Sequence, residues 1–412
     1  MAIDMKTRRA LIADAAARYG KASKMEKGRV LDDLVAWTGG DRSALARAVR
    51  RAAGVGTPHK WGGARGRSGR RPVYRGAVMQ PLRRVWAIMS FPCGKRLVSQ
   101  MSEMLRVLER CGELRVSVET RAQLESMSAS TADRLLGPER RKMQLKGRQG
   151  TKPGSLLRHQ IPIRTFADWD DARPGFTEMD LVSHEGGDAS GDFCYTLTLT
   201  DVATGWTECR AVKNRAQRWT FEALKHLRKR LPFPLLGVDS DNGSEFMNHH
   251  LLSYCEDEHL SFTRARPYRK NDNCFVEQKN YTAVRQMVGY YRYDTTSERA
   301  LLNRIYGRHR LYFNFFLPQM KLVGKARVGS KVTRRYDAPK TPYQRALDAS
   351  NIEESTKQEL REQYASLNPA ALRRQISNLQ EQLRALVISK ESRRIEQLFD
   401  DETVEGTLIM RQ

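Results

Sequence analysis

The sequence is short of cysteine, of acid and of long apolar runs, and each shortage removes a class of protein. Its six cysteines (Cys93, Cys111, Cys194, Cys209, Cys255 and Cys274) are spread over 412 residues and include no C-x-x-C pair. That spacing argues against a disulfide framework and against a zinc knuckle, and it suits a reducing compartment. No run of about 20 apolar residues is present to span a bilayer. The apolar stretch Leu11–Ala17 is short and broken by Asp14, so no secretory signal is expected. The expectation is a cytoplasmic protein with no membrane partner. Acid is scarce too: 47 Asp and Glu stand against 72 Lys and Arg, a net charge of +25. A charge of that size says little about fold and much about partners, and the natural partner is a polyanion such as nucleic acid. Residues 351–412 hold eleven acidic and nine basic side chains, so the whole positive excess lies in the first 350.

What is present falls into segments. Residues 1–53 read as a helical unit with apolar stripes at Leu11, Ile12 and Ala15 and at Val30, Leu31, Leu34 and Val35. Thr38-Gly39-Gly40 breaks it, and Asp41 is an N-cap for a third helix, Arg42–Ala52. That helix carries Arg42 and Arg47 as candidate DNA contacts, in helix-turn-helix outline. A three-helix bundle with a solvated basic face fits the same residues. Residues 54–77 form a linker in which Arg65, Arg67, Arg70 and Arg71 lie among seven glycines. It cannot bury a core, and its arginines suit phosphates or a minor groove. Residues 78–145 return to helix and hold a second helix-turn-helix candidate. There Ser130 and Asp133 are read as a capping box for a helix Thr131–Met143 bearing Arg134. Residues 146–173 are a second basic linker.

From Gly175 the pattern turns to β. Strands are expected at Thr177–Ser183, Phe193–Val202 and Trp206–Val212. A helix Arg218–Lys229, a strand Leu235–Ser240, a helix Asn248–Glu258, a strand Ser261–Arg266 and a helix Asp272–Tyr290 follow. Three antiparallel strands and then alternating helix and strand is the order of a ribonuclease-H-like sheet, in which the first and fourth strands are neighbours. Three carboxylates take telling places in it. Asp180 lies within the first strand, Asp241 directly follows the fourth, and Glu277 lies in the last helix, with 35 residues between it and Asp241. Phosphodiesters repel nucleophiles, and two divalent ions held about 4 Å apart by carboxylates would neutralise that charge. Mg²⁺ takes hard oxygen ligands and keeps several waters, so two or three carboxylates suffice.

With these residues in view, the chain resembles the retroviral-integrase-like (D,D-35-E) transposases of bacterial insertion sequences over roughly residues 175–345. The resemblance is carried by the strand Asp180 and by Asp241-Asn242-Gly243-Ser244-Glu245-Phe246. It is carried also by the D-N-x-x-x-E entry to the last helix and by Asn280 three residues past the glutamate. Tyr312-Phe313-Asn314 and Thr341-Pro342-Tyr343 match the closing Y-x-N and T-P-x segments. The resemblance implies that Asp180, Asp241 and Glu277 are the catalytic, metal-ligating residues for Mg²⁺ (or Mn²⁺), two ions per site. It implies 3′-end cleavage by water and then strand transfer into target DNA. The partners implied are double-stranded DNA (element ends and target) and further copies of the chain on that DNA, in a bacterial, nucleoid-associated setting. No residue points to a helper ATPase. Two departures stand out: the N-terminal His/Cys zinc module of retroviral integrases is absent, and Cys274 stands where many members have glycine.

The fold class expected is therefore multidomain: N-terminal all-α helix-turn-helix units, a central α/β ribonuclease-H-like catalytic core at 174–300, a basic segment at 301–348 suited to DNA contact, and an α-helical tail at 349–412. Asp239 competes with Asp241, but the family pattern sets the ligand just before Asn-Gly. Asp188, Asp192 and Asp201 read as turn caps, and His184 as a structural histidine. Arg269 and Lys270, between the last strand and the Glu277 helix, suit phosphate contacts, as does Lys279; a solvated loop fits Arg269 and Lys270 equally. In the tail, Leu372, Ile376, Leu379, Leu383 and Leu386 form a short heptad seam, open either to pairing of subunits as a coiled coil or to packing on the core. Two other functions remain open to these residues: a ribonuclease-H-like nuclease that only hydrolyses, and an inactive DNA-binding regulator.

Overall fold

The computed structural model describes residues 4–54, 74, 76–142, 173–240, 246, 249–264, 274–328 and 331–409. The expected linker arginines Arg65, Arg67, Arg70 and Arg71 lie outside them, as do Asp241, Arg269 and Lys270. The chain forms two compact units, Met1–Pro72 and Val73–Gln412.

The first unit holds three helices, α1 (Met5–Tyr19), α2 (Lys24–Thr38) and α3 (Arg42–Ala52). Local chemistry sets their ends. Ser23 and Glu26 cap α2 reciprocally, and Gly39 ends it at φ +60°, a conformation that favours glycine. The Asp41 side chain accepts from Ala44 N and starts α3. Ala15, Tyr19, Leu31, Leu34, Leu45 and Val49 close a small core.

The second unit opens with α4 (Met79–Ile88), α5 (Gly94–Ser99), α6 (Met101–Arg110), α7 (Val118–Glu125) and α8 (Ala129–Lys142). The start of α8 departs from the sequence expectation. Ser128, not Ser130, caps it, accepting from Thr131 N at 3.2 Å. Asp133 reaches across instead, taking Gly94 N at 2.8 Å and pairing with Arg140 at 2.8 Å. Glycine is required at position 94, because a Cβ there would lie 2.1 Å from the Ala129 carbonyl oxygen.

The sheet comprises β1 (Phe176–Ser183), β2 (Tyr195–Asp201), β3 (Thr207–Val212), β4 (Gly237–Ser240) and β5 (Ser261–Arg264), ordered β3-β2-β1-β4-β5. Strands β1 to β3 are antiparallel, while β1 and β4 pair in parallel, so the first and fourth strands are neighbours as expected. Helix α9 (Gln217–Arg228) precedes β4, and α10 (His249–Asp257) precedes β5. The Thr-Leu-Thr-Leu-Thr alternation in β2 sorts its side chains between two faces. Leu197 and Leu199 join Met179, Val238 and Phe262 under Leu224 and Leu227 of α9 and Leu251 of α10. Thr196, Thr198 and Thr200, fully buried, face the other way.

That second face is covered by α11 (Cys274–Lys279), a π-helical turn (Asn280–Arg285), α12 (Gln286–Val288) and α13 (Thr296–Phe316). The single helix expected over 272–290 is thus interrupted by the π turn and ends at Gly289, whose φ is +74°. Along α13, Asn303 and Asn314 each bond both the N–H and the C=O of one β3 residue, Ala211 and Thr207 respectively, at 2.9–3.1 Å. The helix thereby satisfies the sheet edge that would otherwise be open to pairing. Tyr312 ties α13 to α4, donating to the Ile88 carbonyl, and Ser90 lies 2.8 Å from its hydroxyl.

Beyond α13 come β6 (Leu322–Val328) and β7 (Lys331–Tyr336), a separate two-stranded sheet, then α14 (Pro342–Asp348), α15 (Glu354–Ser366) and α16 (Pro369–Ile409). Thr341 caps α14 with Pro342 in its first turn, the physical content of the Thr-Pro motif. The seam of the tail is spent within the chain. Leu372, Ile376, Leu379, Leu383 and Val387 are buried as α16 packs on α13, and Lys390 closes the contact by pairing with Asp294 and Glu298. Helices α4–α8 also lack a core of their own. Leu82, Trp86 and Leu105 share one cluster with Tyr306 and Phe316 of α13 and Ile376 of α16. No helix among the described residues is long and apolar enough to cross a membrane.

Candidate active site

The site is built on alternate residues of β1. Glu178 and Asp180 lie on the same face of the strand, the face covered by α11. Glu178 is fully buried, and its Oε2 accepts from Val276 N at 3.0 Å. Val276 is in the first turn of α11, where backbone amides have no partner within the helix. A strand carboxylate therefore holds the start of the helix to β1.

One level along, Asp180 is half-buried. Its Oδ1 accepts from Leu181 N at 2.8 Å, and its Oδ2 accepts from the Asn280 side-chain amide. Asn280 lies three residues after Glu277, one helical turn on and on the same face. The bond to Asn280 thus draws the helix of Glu277 onto the strand of Asp180, with Glu277 itself exposed. The π turn begins at Asn280. Such turns concentrate at functional sites, and neither proline nor glycine marks this one in the sequence.

Strand β4 arrives alongside. Asp239 pairs in register with Glu178, and Ser240 with Met179. Asp239 is fully buried and accepts from the Thr263 hydroxyl of β5. A polar row, Thr207–Thr200–Glu178–Asp239–Thr263, consequently crosses all five strands beneath Asp180. From the sequence alone Asp239 competes with Asp241 as a ligand, and Glu178 is not singled out. A carboxylate two residues before Asp180 was the available signal, since period-2 alternation puts both on one face.

His184 is buried, with Nε2 2.7 Å from the Thr196 hydroxyl, which lies 2.9 Å from Tyr306. Burial pushes its pKa down to about 3, so it stays neutral within this buried chain. Asp201 caps the β2–β3 turn through Thr204, and burial raises its pKa to about 6. Lys279 turns inward: its ammonium donates to Gln319 and lies 5.2 Å from the Phe313 ring centre. Burial, with Arg96 and Arg345 nearby, lowers its pKa to about 7. Of the other expected DNA contacts, Arg42 is tied to Asp32 at 2.8 Å and to the Gly28 carbonyl at 3.1 Å. Arg47 and Arg134 are exposed.

The donor set suits a hard divalent cation. Asp180 and Glu277 offer carboxylate oxygens, and the Oδ1 of Asn280 is buried with no hydrogen-bond partner among the described residues. Oxygens with no proton to donate, one of them unpaired, are what such an ion takes.

A five-stranded mixed sheet with this strand order, crossed on its polar face by a helix bearing a glutamate, defines a ribonuclease-H-like integrase core. Residues 170–270 match the family model of the integrase core domain. The chain is 40% identical over 345 residues to the uncharacterized protein y4rM of Sinorhizobium fredii, covering 83% of this chain and 96% of that protein. Among solved structures it is similar to the catalytic core domain of BIV integrase, at 16% identity and a TM-score of 0.30, over 45% of this chain and 98% of that one. It is similar also to the HTLV-2 integrase catalytic core domain in complex with magnesium, at 14% identity and a TM-score of 0.27, over 35% of this chain and 90% of that one. The chain belongs to the integrase-like transposase family.

Proposed function

We propose that this protein is a DNA transposase that binds the ends of a mobile element, cleaves them at the 3′ end and joins them to target DNA, with Asp180, Asp241 and Glu277 as metal ligands. One observation carries the reading: the amide of Asn280 joins the strand of Asp180 to the helix of Glu277. The register of β1 and β4 supports the third member. Met179 and Ser240 are paired, and the residues that follow them in the sequence are Asp180 and Asp241.

Two Mg²⁺ or Mn²⁺ ions, when bound, would neutralise the phosphodiester and favour attack by water and then by the 3′-hydroxyl. The protein's own residues do the positioning. Asn280 holds one oxygen of Asp180 so that the carboxylate keeps one orientation. Glu178 fixes the start of the helix bearing Glu277, and the buried Asp239–Thr263 contact stiffens the strand that leads to Asp241. The basic residues hold phosphate. Arg47 and Arg134 are exposed for that role, and Arg65, Arg67, Arg70, Arg71, Arg269 and Lys270 are assigned to it with them. Arg42 spends its Nε and Nη2 on Asp32 and the Gly28 carbonyl, and Lys279 is engaged inside the protein. The two N-terminal helical segments would read element ends as helix-turn-helix units. Two ends must be joined together, so two or more copies of the chain would act on DNA in the bacterial cytoplasm.

The test is a cleavage-and-joining assay on the DNA flanking the coding gene, with Mg²⁺ or Mn²⁺. Cleaved ends and joined product that Asp241→Asn abolishes are expected. Cleavage with no joined product from a pre-cleaved end would make it a nuclease. DNA binding with no metal-dependent chemistry would make it a regulator.

A further inference from the structure

The β6–β7 ribbon has no counterpart in the chemistry above. An isolated two-stranded hairpin is marginally stable in water, and one that persists normally packs a face on something. Among the described residues this ribbon pairs with no other strand, and Leu322, Val323, Val332 and Tyr336 are between 39% and 51% exposed. Its base is nevertheless fixed. Asp337 accepts from Lys321 N at 2.6 Å and donates its own N–H to the Lys321 carbonyl, Arg345 pairs with Asp337 at 2.7 Å, and Lys321 Nζ reaches the Ala203 carbonyl of the β2–β3 turn.

Charge identifies what such an arm would meet. From Lys321 to Tyr336 there are six basic residues and no acidic one. So dense a run of one sign repels itself, and a polyanion laid over the ribbon offsets that repulsion, whereas a second copy pairing along an edge would add to it. The two faces also differ. The irregularity between Leu322 and Gly324 puts Leu322, Val332, Arg334 and Tyr336 on one face. Small residues, Gly324 and Ala326, stand opposite Arg335 and Thr333 on the other. A seven-residue strand is about 23 Å long, and a two-stranded ribbon fits the roughly 12 Å width of the major groove.

We propose that the β6–β7 ribbon is a docking arm for double-stranded DNA, and that the face carrying Val332, Arg334 and Tyr336 is the one laid against the duplex. This rests on the reading of the protein as one that acts on DNA, and not on its metal chemistry.

The experiment therefore uses the full chain without divalent metal and follows the anisotropy of a labelled duplex as salt is raised. Arg334→Glu and Arg335→Glu make the same charge change on opposite faces. Arg334→Glu is expected to weaken binding about tenfold and to flatten the plot of log affinity against log salt by about 1–2, while Arg335→Glu changes affinity less than about threefold. Thermal melts check that both fold, and Arg334→Gln serves as the milder variant. Equal losses from both variants, or none from either, overturn the proposal. So does an Arg334→Glu protein that binds duplex normally but sediments differently without DNA, since the face would then serve a second copy. Binding to anionic lipid vesicles that Arg334→Glu removes, with duplex affinity unchanged, also overturns it. If the unaltered chain binds no duplex at all, the DNA-acting reading itself fails; if it binds through the ribbon but cleaves nothing, only the catalytic reading does.

Discussion

Glu178 of the first strand holds the backbone amide of Val276, one residue before Glu277, with a carboxylate oxygen 3.0 Å from the nitrogen. An acid two residues before Asp180, on the same face of β1, has the chemistry of a further ligand. Its burial and its bond to the helix start make it a positioning residue instead.

The contrast between two substitutions tests this. Glu178→Ala leaves a buried N–H without an acceptor, at a cost of about 1–3 kcal/mol, and frees the helix that carries Glu277. Glu178→Gln keeps a carbonyl oxygen for the same bond. In single-turnover cleavage with Mg²⁺, the alanine variant should lose on the order of 100-fold, as a misplacement of about 1 Å can. The glutamine variant should recover most of that. Equal losses from both would show that the negative charge is what matters, and Glu178 would join the ligands.

The edge of the sheet offers a second test, on stability alone. Asn314 and Asn303 sit three turns apart on α13, and each makes a two-point bond to β3. Asn314 is fully buried and Asn303 is not. Asn314→Ala strands one donor and one acceptor away from water, at about 2–4 kcal/mol, whereas water can replace the Asn303 side chain more cheaply. The thermal midpoint of Asn314→Ala should fall by roughly 5 °C or more, and further than that of Asn303→Ala. The opposite ranking would mean that burial does not govern these bonds.

Much of this architecture was legible in the residues. The hydroxyl–leucine alternation of β2 gave both the strand and its two chemically distinct faces. Asp41 and Gly39 marked their helix ends because caps act locally. What escaped the sequence depends on distant partners. Ser130 and Asp133 have capping-box spacing, yet Asp133 is drawn to Gly94 and Arg140, and Ser128 caps in their place. The π turn at Asn280 has no local marker, since the bond to Asp180 comes from 100 residues away. The tail's leucines fit a coiled coil and an intramolecular helix pair equally well, because both want the same spacing. Only the apolar surface of α13 separates them.

Acid should loosen the tail at its first turn. Glu113, next to the end of α6, accepts from Arg374 and Asn368 at the start of α16. Those bonds, Arg374 first, hold its pKa down to about 2 against an ordinary 4.5. A carboxyl with a depressed folded-state pKa contributes stability above its unfolded value and loses it as pH falls toward the folded one. The window is therefore about pH 4.5 down to about 2. The contribution is on the order of 2 kcal/mol once solvent screening of the exposed Arg374 is allowed for. Urea denaturation should find Glu113→Gln less stable than the parent by that amount at pH 6, with the gap closing toward pH 2. A gap that stays constant with pH would remove the charge from the explanation.

The last prediction concerns where the tail's apolar seam is used. Ile376 is fully buried between α16 and α13, while Ile388 on the same helix is 56% exposed. Ile376→Ala should cost about 2–5 kcal/mol through the cavity it leaves, and Ile388→Ala should stay within about 0.5 kcal/mol. If the seam closes within one chain, the melting midpoint of the unaltered protein is the same at two concentrations a decade apart, because no association is linked to unfolding. A midpoint that falls on dilution, and a dependence that Ile376→Ala abolishes, would show that the seam binds a second chain. Deleting residues 369–412 separates the two cases again. An intramolecular clamp, once removed, uncovers the apolar face of α13 and gives a protein that melts low and aggregates without a defined stoichiometry. A removed dimer contact would instead leave a stable, soluble monomer.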